Sequence, residues 1–275
     1  ALTEAGIDSR VIKGPALAHT AYAEPGERTF GDIDIVVAGS DLSRARRTLV
    51  TGLGAADLLP ELRPGFDAEF AKDVLLRLDL CEIDLHRTLA AGPFGLRIPV
   101  AELFDDPTTF SVGQATLATL PPAATLLQVA YNAALGDVPP KLASLRDVAV
   151  VDRAMAPDLA DVEALTRRWG AQAVIHHAVT TAWRTLDLPR TPLLTWAEEL
   201  RPTGLDRQLL RASMAEHRSY IRHLAALATV PGFGAKRRYL TAIARPGPEY
   251  LDARGWTRRS HLTRALSRLR PAPTR

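Results

Sequence analysis

Apolar and polar residues follow two different rhythms along this chain. In residues 1–120 the apolar stretches are short, and in places they alternate with polar ones, as a half-buried strand requires. Val11-Ile12 reads as a short strand, Lys13-Gly14 as a turn, and the residues to about Tyr22 as a helix with Pro15 in its first turn, where a missing N–H costs little. Ile35-Val36-Val37 forms the apolar body of a second strand. Asp41 to Val50, with Leu42, Ala45 and Leu49 at helical spacing, reads as a helix capped by Ser40 and closed by Gly52 and Gly54. Glu69 to Leu78 and Cys81 to His86 read as two strands of a hairpin turning at Asp79-Leu80. On the second, Glu82, Asp84 and His86 share one face and Ile83 and Leu85 the other. Ile98 to Val100 and Thr108 to Leu120 suggest short edge strands leading out of this module.

From Ala123 onward the period changes. Ala123–Ala134, Leu142–Met155, Leu159–Trp169, Ala171–Leu186, Leu205–Leu227 and Arg258–Leu269 carry apolar residues three and four apart, interrupted at Pro139-Pro140, Pro157, Gly170, Pro189, Pro202 and Pro231-Gly232. The pattern predicts an α+β protein: a mixed sheet with flanking helices over residues 1–120, then a helical domain over 121–275, divided at Pro121-Pro122.

Composition adds few constraints. The chain has 275 residues, 47% hydrophobic and 24% charged, in the range of ordinary globular proteins. No apolar run approaches the ~20 residues of a transmembrane helix and no signal-peptide pattern is visible, so the expectation is a cytoplasmic protein. The single Cys81 cannot form an internal disulfide, and in an alternating strand it reads as a core filler rather than a nucleophile. The net charge of +3 conceals a segregation. Residues 236–275 hold Lys236 and ten Arg against Glu249 and Asp252, a balance of +9, which leaves −6 on the rest.

The chemistry concentrates at the head of the second strand. In Arg28-Thr-Phe-Gly-Asp-Ile-Asp-Ile-Val-Val37, residues Asp32 and Asp34 are two apart, so on a strand their carboxylates project from one face. Two such charges ~4 Å apart at an effective dielectric of ~20 repel by about 4 kcal/mol, which Mg²⁺ or Mn²⁺ reverses by taking both as hard oxygen ligands. An Asp-x-Asp pair is also commonly a solvated turn, so its neighbours decide. The Lys13-Gly14 turn opens a helix whose free N–H groups and ammonium suit a phosphate, and Asp84 supplies a third carboxylate. Arg28 can grip phosphate oxygens bidentately or pair with an Asp, and His86 can join the site or simply bond a carboxylate. His176 and His177 have no second ligand pair at metal spacing and read as structural.

In this order, Lys13-Gly14 with its helix, Arg28, Gly31-Asp32-Ile33-Asp34-Ile35-Val36-Val37 and Ile83-Asp84-Leu85-His86 resemble the "nucleotidyltransferase family protein" branch of the DNA polymerase β-like nucleotidyltransferase superfamily. The resemblance implies that Asp32, Asp34 and Asp84 are the catalytic, metal-binding carboxylates, and that Asp84 activates the acceptor. It implies that Lys13, Gly14, Arg28 and His86 contact the nucleotide or its metal shell, with Lys13-Gly14-Pro15 in place of the superfamily's usual Gly-Ser or Gly-Gly. Asp147 matches a position where this branch tends to keep Asp.

The function so implied is transfer of a nucleoside monophosphate from an NTP to an acceptor hydroxyl or phosphate with release of pyrophosphate. The alternative is a non-catalytic protein that keeps the fold to bind a nucleotide or a partner, although a degenerate site would have no reason to keep three mutually repelling carboxylates. The basic tail admits RNA as acceptor. The scarcity of aromatic residues for base stacking favours a small molecule or peptide. Leu262, Ala265, Leu266 and Leu269 opposite Arg259, Arg264 and Arg268 equally describe a helix docked on its own domain.

Overall fold

The computed structural model describes residues 1–214 and 225–261. Its central sheet has five strands in the order β1-β2-β5-β4-β3. These are β1 (Ser9–Ile12), β2 (Asp32–Val37), β3 (Ala56–Asp57), β4 (Asp73–Leu78) and β5 (Cys81–His86). The sheet is mixed: β2 and β5 run parallel, whereas β1/β2, β5/β4 and β4/β3 are antiparallel. Parallel pairing of β2 with β5 places the front ends of the Asp-rich strands side by side, and this is the topological fact on which the site depends.

One face of the sheet buries Val37, Val74, Leu76, Ile83 and Leu85 against Leu42, Ala45 and Leu49. Those three residues belong to α2 (Leu42–Arg47) and the helical turn Thr48–Gly52 that continues it. Asp41 rather than Ser40 precedes the helix, and neither supplies a side-chain cap. The other face carries α1 (Lys13–Thr20), whose Leu17 joins Ile12 and Val36 in the larger core.

Part of the predicted strand 69–78 is helical instead: α3 (Phe66–Phe70) occupies its start, and the strand begins at Asp73. Phe66 and Phe70, four apart, meet with ring centroids 5.3 Å apart and both contact Tyr239, a packing that only the helical spacing permits. Val100–Phe104 is a helical turn rather than a strand, and it follows the short α4 (Gly92–Gly95). Thr108 to Thr119 forms its own two-stranded hairpin, β6 (Thr108–Val112) and β7 (Ala115–Thr119), turning at Gly113 with φ +58°.

The helical part follows the 3.6-residue pattern closely. It comprises α5 (Pro122–Leu135), α6 (Leu142–Met155), α7 (Leu159–Arg168), α8 (Gln172–Leu186), α9 (Pro192–Glu199) and α10 (Gly204–Met214). α5 is almost wholly buried and packs against α6, α7 and α8. α9 is an addition to the predicted set; Thr191 caps it by accepting from the Leu194 N–H, with Pro192 at its first position. His176 Nδ1 donates to the Ala197 carbonyl at 2.9 Å, tying α8 to α9 in the structural role its isolation suggested. The largest apolar core runs continuously from Ile12, Leu17, Val36 and Phe94 into Leu126, Tyr131, Val148 and Trp169, across the Pro121-Pro122 junction.

Beyond the bundle, helices Phe233–Ala244 and Pro248–Ala253 return to the sheet module. Tyr239 packs on Phe66 and Phe70, Arg238 pairs with Glu69, and the Gly247 N–H donates to the Leu62 carbonyl at 2.7 Å. The first part of the basic segment is therefore docked on its own chain. The predicted stripe Leu262, Ala265, Leu266 and Leu269 with Arg264 and Arg268 lies outside the described residues, as does the 215–224 part of the predicted helix Leu205–Leu227.

Candidate active site

The strand register assembles the site. Asp32 faces Glu82 and Asp34 faces Asp84 across β2/β5, and His86 lies opposite Val36 on β2 and Asp73 on β4. Because side chains two apart share a face, Asp34, Asp84, His86 and Asp73 converge on the side of the sheet where α1 begins. One ligand atom each from Asp34, Asp84 and His86 lies within 4.8 Å of the others. Asp32 is on the same face one row toward the strand's start, half-buried and outside that group.

Asp34 is 1% exposed and His86 is completely buried, yet both are polar, so each needs partners. Asp34 Oδ1 accepts from Lys13 Nζ at 2.5 Å and from His86 Nε2 at 2.7 Å. Burial pushes the Asp34 carboxyl up, but the His86 hydrogen bond and the Lys13 charge outweigh it and hold the group below the ordinary carboxylate range. Asp84 goes the other way: burial, then the Asp73 and Asp34 charges, raise it. Asp73 is held low because the adjacent Lys72 ammonium overcomes its burial.

A second buried carboxylate braces the site from the helical part. Asp147 on α6 is 1% exposed and accepts from Arg28 Nε at 2.9 Å, Arg28 Nη2 at 3.0 Å and Tyr22 Oη at 2.7 Å. Burial and the Asp147 hydrogen bond push the Tyr22 hydroxyl up to about 12. Arg28 Nη1 donates to its neighbour's carbonyl at Thr29, so the guanidinium is engaged on every side. Arg146 completes the strut by donating to Tyr22 Oη at 3.1 Å and to the Glu27 carbonyl at 2.9 Å. Phe30, in the loop between Arg28 and Asp32, lies so close to Gly14 that a Cβ there would sit 2.4 Å from the Phe30 Cβ, which accounts for glycine at the start of α1.

Of the residues singled out in the sequence, the structure thus brings Lys13, Asp34, Asp84 and His86 together, leaves Asp32 at the rim, and engages Arg28 with Asp147. Sequence reasoning missed Asp73 and Lys72. The hairpin turn at Asp79-Leu80 would have located Asp73, because counting back from it pairs residue 73 with 86. The Asp34 and Asp84 carboxylates are oxygen donors of the kind a hard divalent cation such as Mg²⁺ or Mn²⁺ takes, while the His86 imidazole beside them holds Asp34 through its Nε2.

Carboxylates near the starts of the parallel neighbours β2 and β5, beside the helix that follows β1, frame the candidate site. The chain belongs to the uncharacterised nucleotidyltransferase family, whose model matches residues 1–187, and the protein is accordingly a nucleotidyltransferase. Among solved structures it is similar to the antibiotic-resistance factor ANT(2'')-Ia, at 14% identity and a TM-score of 0.43, over 64% of this chain and 90% of that one; a likeness this loose carries no statement about function. Curated proteins give no match. Among the described residues no helix is long and apolar enough to cross a membrane.

Proposed function

We propose that this protein transfers a nucleoside monophosphate from an NTP to a hydroxyl or phosphate of a small-molecule or peptide acceptor, with Mg²⁺ or Mn²⁺ held by Asp34 and Asp84 and completed from the rim by Asp32. The adjacency of Asp34 and Asp84 across β2/β5 carries this reading. The cation would neutralise the triphosphate and stabilise the charge that develops on the attacking and leaving oxygens. The chain's own residues position and shuttle. The Lys13 ammonium and the free N–H groups at the start of α1 receive the phosphates. Asp84, whose charge is disfavoured by burial and by its acidic neighbours, is the better proton acceptor of the two. As the acceptor oxygen bonds to the α-phosphorus and the bond to pyrophosphate breaks, the acceptor's proton passes to Asp84.

Arg28, saturated by Asp147 and the Thr29 carbonyl, serves in this reading as the brace of the Thr29–Gly31 loop rather than as a phosphate grip. A small acceptor is preferred over RNA because the described part of the basic segment is docked on its own chain, with Arg238 paired to Glu69 and Tyr239 packed on Phe66 and Phe70. A cytosolic setting, where NTPs are plentiful, completes the reading.

The test is incubation with each labelled NTP, Mg²⁺ or Mn²⁺ and a metabolite extract, following pyrophosphate and a new adduct. Metal-dependent release is expected, reduced about a hundredfold or more in Asp34→Asn. Equal turnover by parent and variant would overturn the metal-site assignment.

A further inference from the structure

The position of Lys13 suggests a role beyond gripping phosphate. Its Nζ lies 2.5 Å from Asp34 Oδ1 and 3.4 Å from His86 Nε2, among the same donor atoms that cluster as a cation site. Its side chain is only 16% exposed, and its backbone adopts φ +54°, the left-handed region that a lysine rarely visits. A long, mobile side chain is thus held by an unfavourable backbone turn and a buried partner. Such strain persists only where the surroundings over-determine it.

We propose that Lys13 is a built-in counter-ion for the cation site: in the metal-free protein its ammonium neutralises Asp34, and a divalent cation must displace it to bind. This rests on the assignment of Asp34 and Asp84 as cation ligands. The physical argument is one of competition. A buried carboxylate left without a cation is costly, so the metal-free protein needs Lys13 where it is. Once a divalent ion takes Asp34, an ammonium so close to it is repelled. Lys13 sits on the first residue of α1, beside the N–H groups proposed for the triphosphate, so the displaced ammonium has an anionic destination only when nucleotide is present. Cation and NTP binding are then coupled. The cation alone has to break the Lys13–Asp34 pair, whereas cation with NTP exchanges one partner of Lys13 for another, and linkage requires each ligand to raise the other's affinity.

The experiment measures Mn²⁺ binding to the full chain without nucleotide, by electron paramagnetic resonance, in the parent, Lys13→Met and Asp34→Asn. The expectation is binding about tenfold tighter in Lys13→Met, since the competitor is gone, and no site-bound Mn²⁺ in Asp34→Asn. A second measurement needs no variant. Amine-directed acetylation read by mass spectrometry should find Lys13 protected in the metal-free parent and exposed once Mn²⁺ or Mg²⁺ is added, with Lys141, exposed and paired with Asp137, as the unchanging reference. Unchanged or weaker Mn²⁺ binding in Lys13→Met, or Lys13 labelling indifferent to metal, would overturn the counter-ion role while leaving the cation site intact. Undiminished Mn²⁺ binding in Asp34→Asn would overturn the cation site itself.

Discussion

Asp34 near the start of β2 and Asp147 on α6 are equally buried, each 1% exposed, but the partners that make this tolerable differ in kind. Asp147 is satisfied completely: a two-nitrogen grip from Arg28 and a hydroxyl from Tyr22 use both oxygens, and Arg146 backs the Tyr22 hydroxyl. Asp34 has a single long amine and one imidazole on the same oxygen, Oδ1. The guanidinium is planar and rigid and gives up little conformational freedom per bond, whereas the lysine stem is flexible and its ammonium is exchangeable. The first arrangement joins the helical part to the loop that delivers Asp32 and Asp34, and the second leaves a carboxylate ready to change partner. A buried charge alone therefore does not mark a site; the exchangeability of its counter-ion does.

Three measurements bear on that contrast. The largest effect belongs to the brace. Asp147→Ala leaves the Arg28 charge half-buried and unpaired and removes the Tyr22 acceptor, and should cost about 3–5 kcal/mol of unfolding free energy by denaturant titration. A loss no larger than that of an exposed pair, ~1 kcal/mol or less, would mean the strut bears no strain and the two carboxylates are alike.

An intermediate effect is expected at Asp67, a carboxyl whose nearest cation, Arg46, is 3.6 Å away. Burial first, then Glu61, push it up to about 7, and Arg46 only partly opposes them. Below pH ~4 the group is protonated folded and unfolded alike. Between pH ~4 and about 7 the unfolded chain ionises while the folded one does not, so this group's contribution turns increasingly against the fold as pH rises. Asp67→Asn should raise stability at pH 8 by on the order of 2–4 kcal/mol, from 1.36 kcal/mol per pKa unit, and change little at pH 4. Equal melting-temperature changes at the two pH values would contradict this.

The smallest effect concerns the metal-free site. Because burial, Asp73 and Asp34 all disfavour the Asp84 charge, Asp84→Asn should melt at the parent's temperature or slightly above it, by up to ~1 kcal/mol, while losing the stabilisation conferred by Mg²⁺ with NTP. A thermal shift with Mg²⁺ and NTP that survives the substitution would take Asp84 out of the site.

Much of this molecule was legible from residue order alone. Strand alternation put Glu82, Asp84 and His86 on one face because the period of two is local, and helical spacing marked α5 to α8 almost to the residue for the same reason. The glycine at position 14 and the Asp-x-Asp at 32 and 34 marked the candidate site by type and spacing. Sequence failed where an element's state depends on what lies far along the chain. Residues 66–70 are helical because Tyr239 receives both rings, and no window around them contains that fact. Arg28 left two partners open on paper, phosphate or carboxylate. Asp147, more than a hundred residues away, engages it in the fold. Asp32 and Asp34 looked equivalent, yet the register sets Asp34 beside Asp84 and His86 and leaves Asp32 nearer the rim, since pairing between strands is decided by the sheet. The sequence by itself determined which groups are available to the candidate site. The tertiary structure decided which of them meet, because burial and non-local pairing set which charges a carboxylate faces.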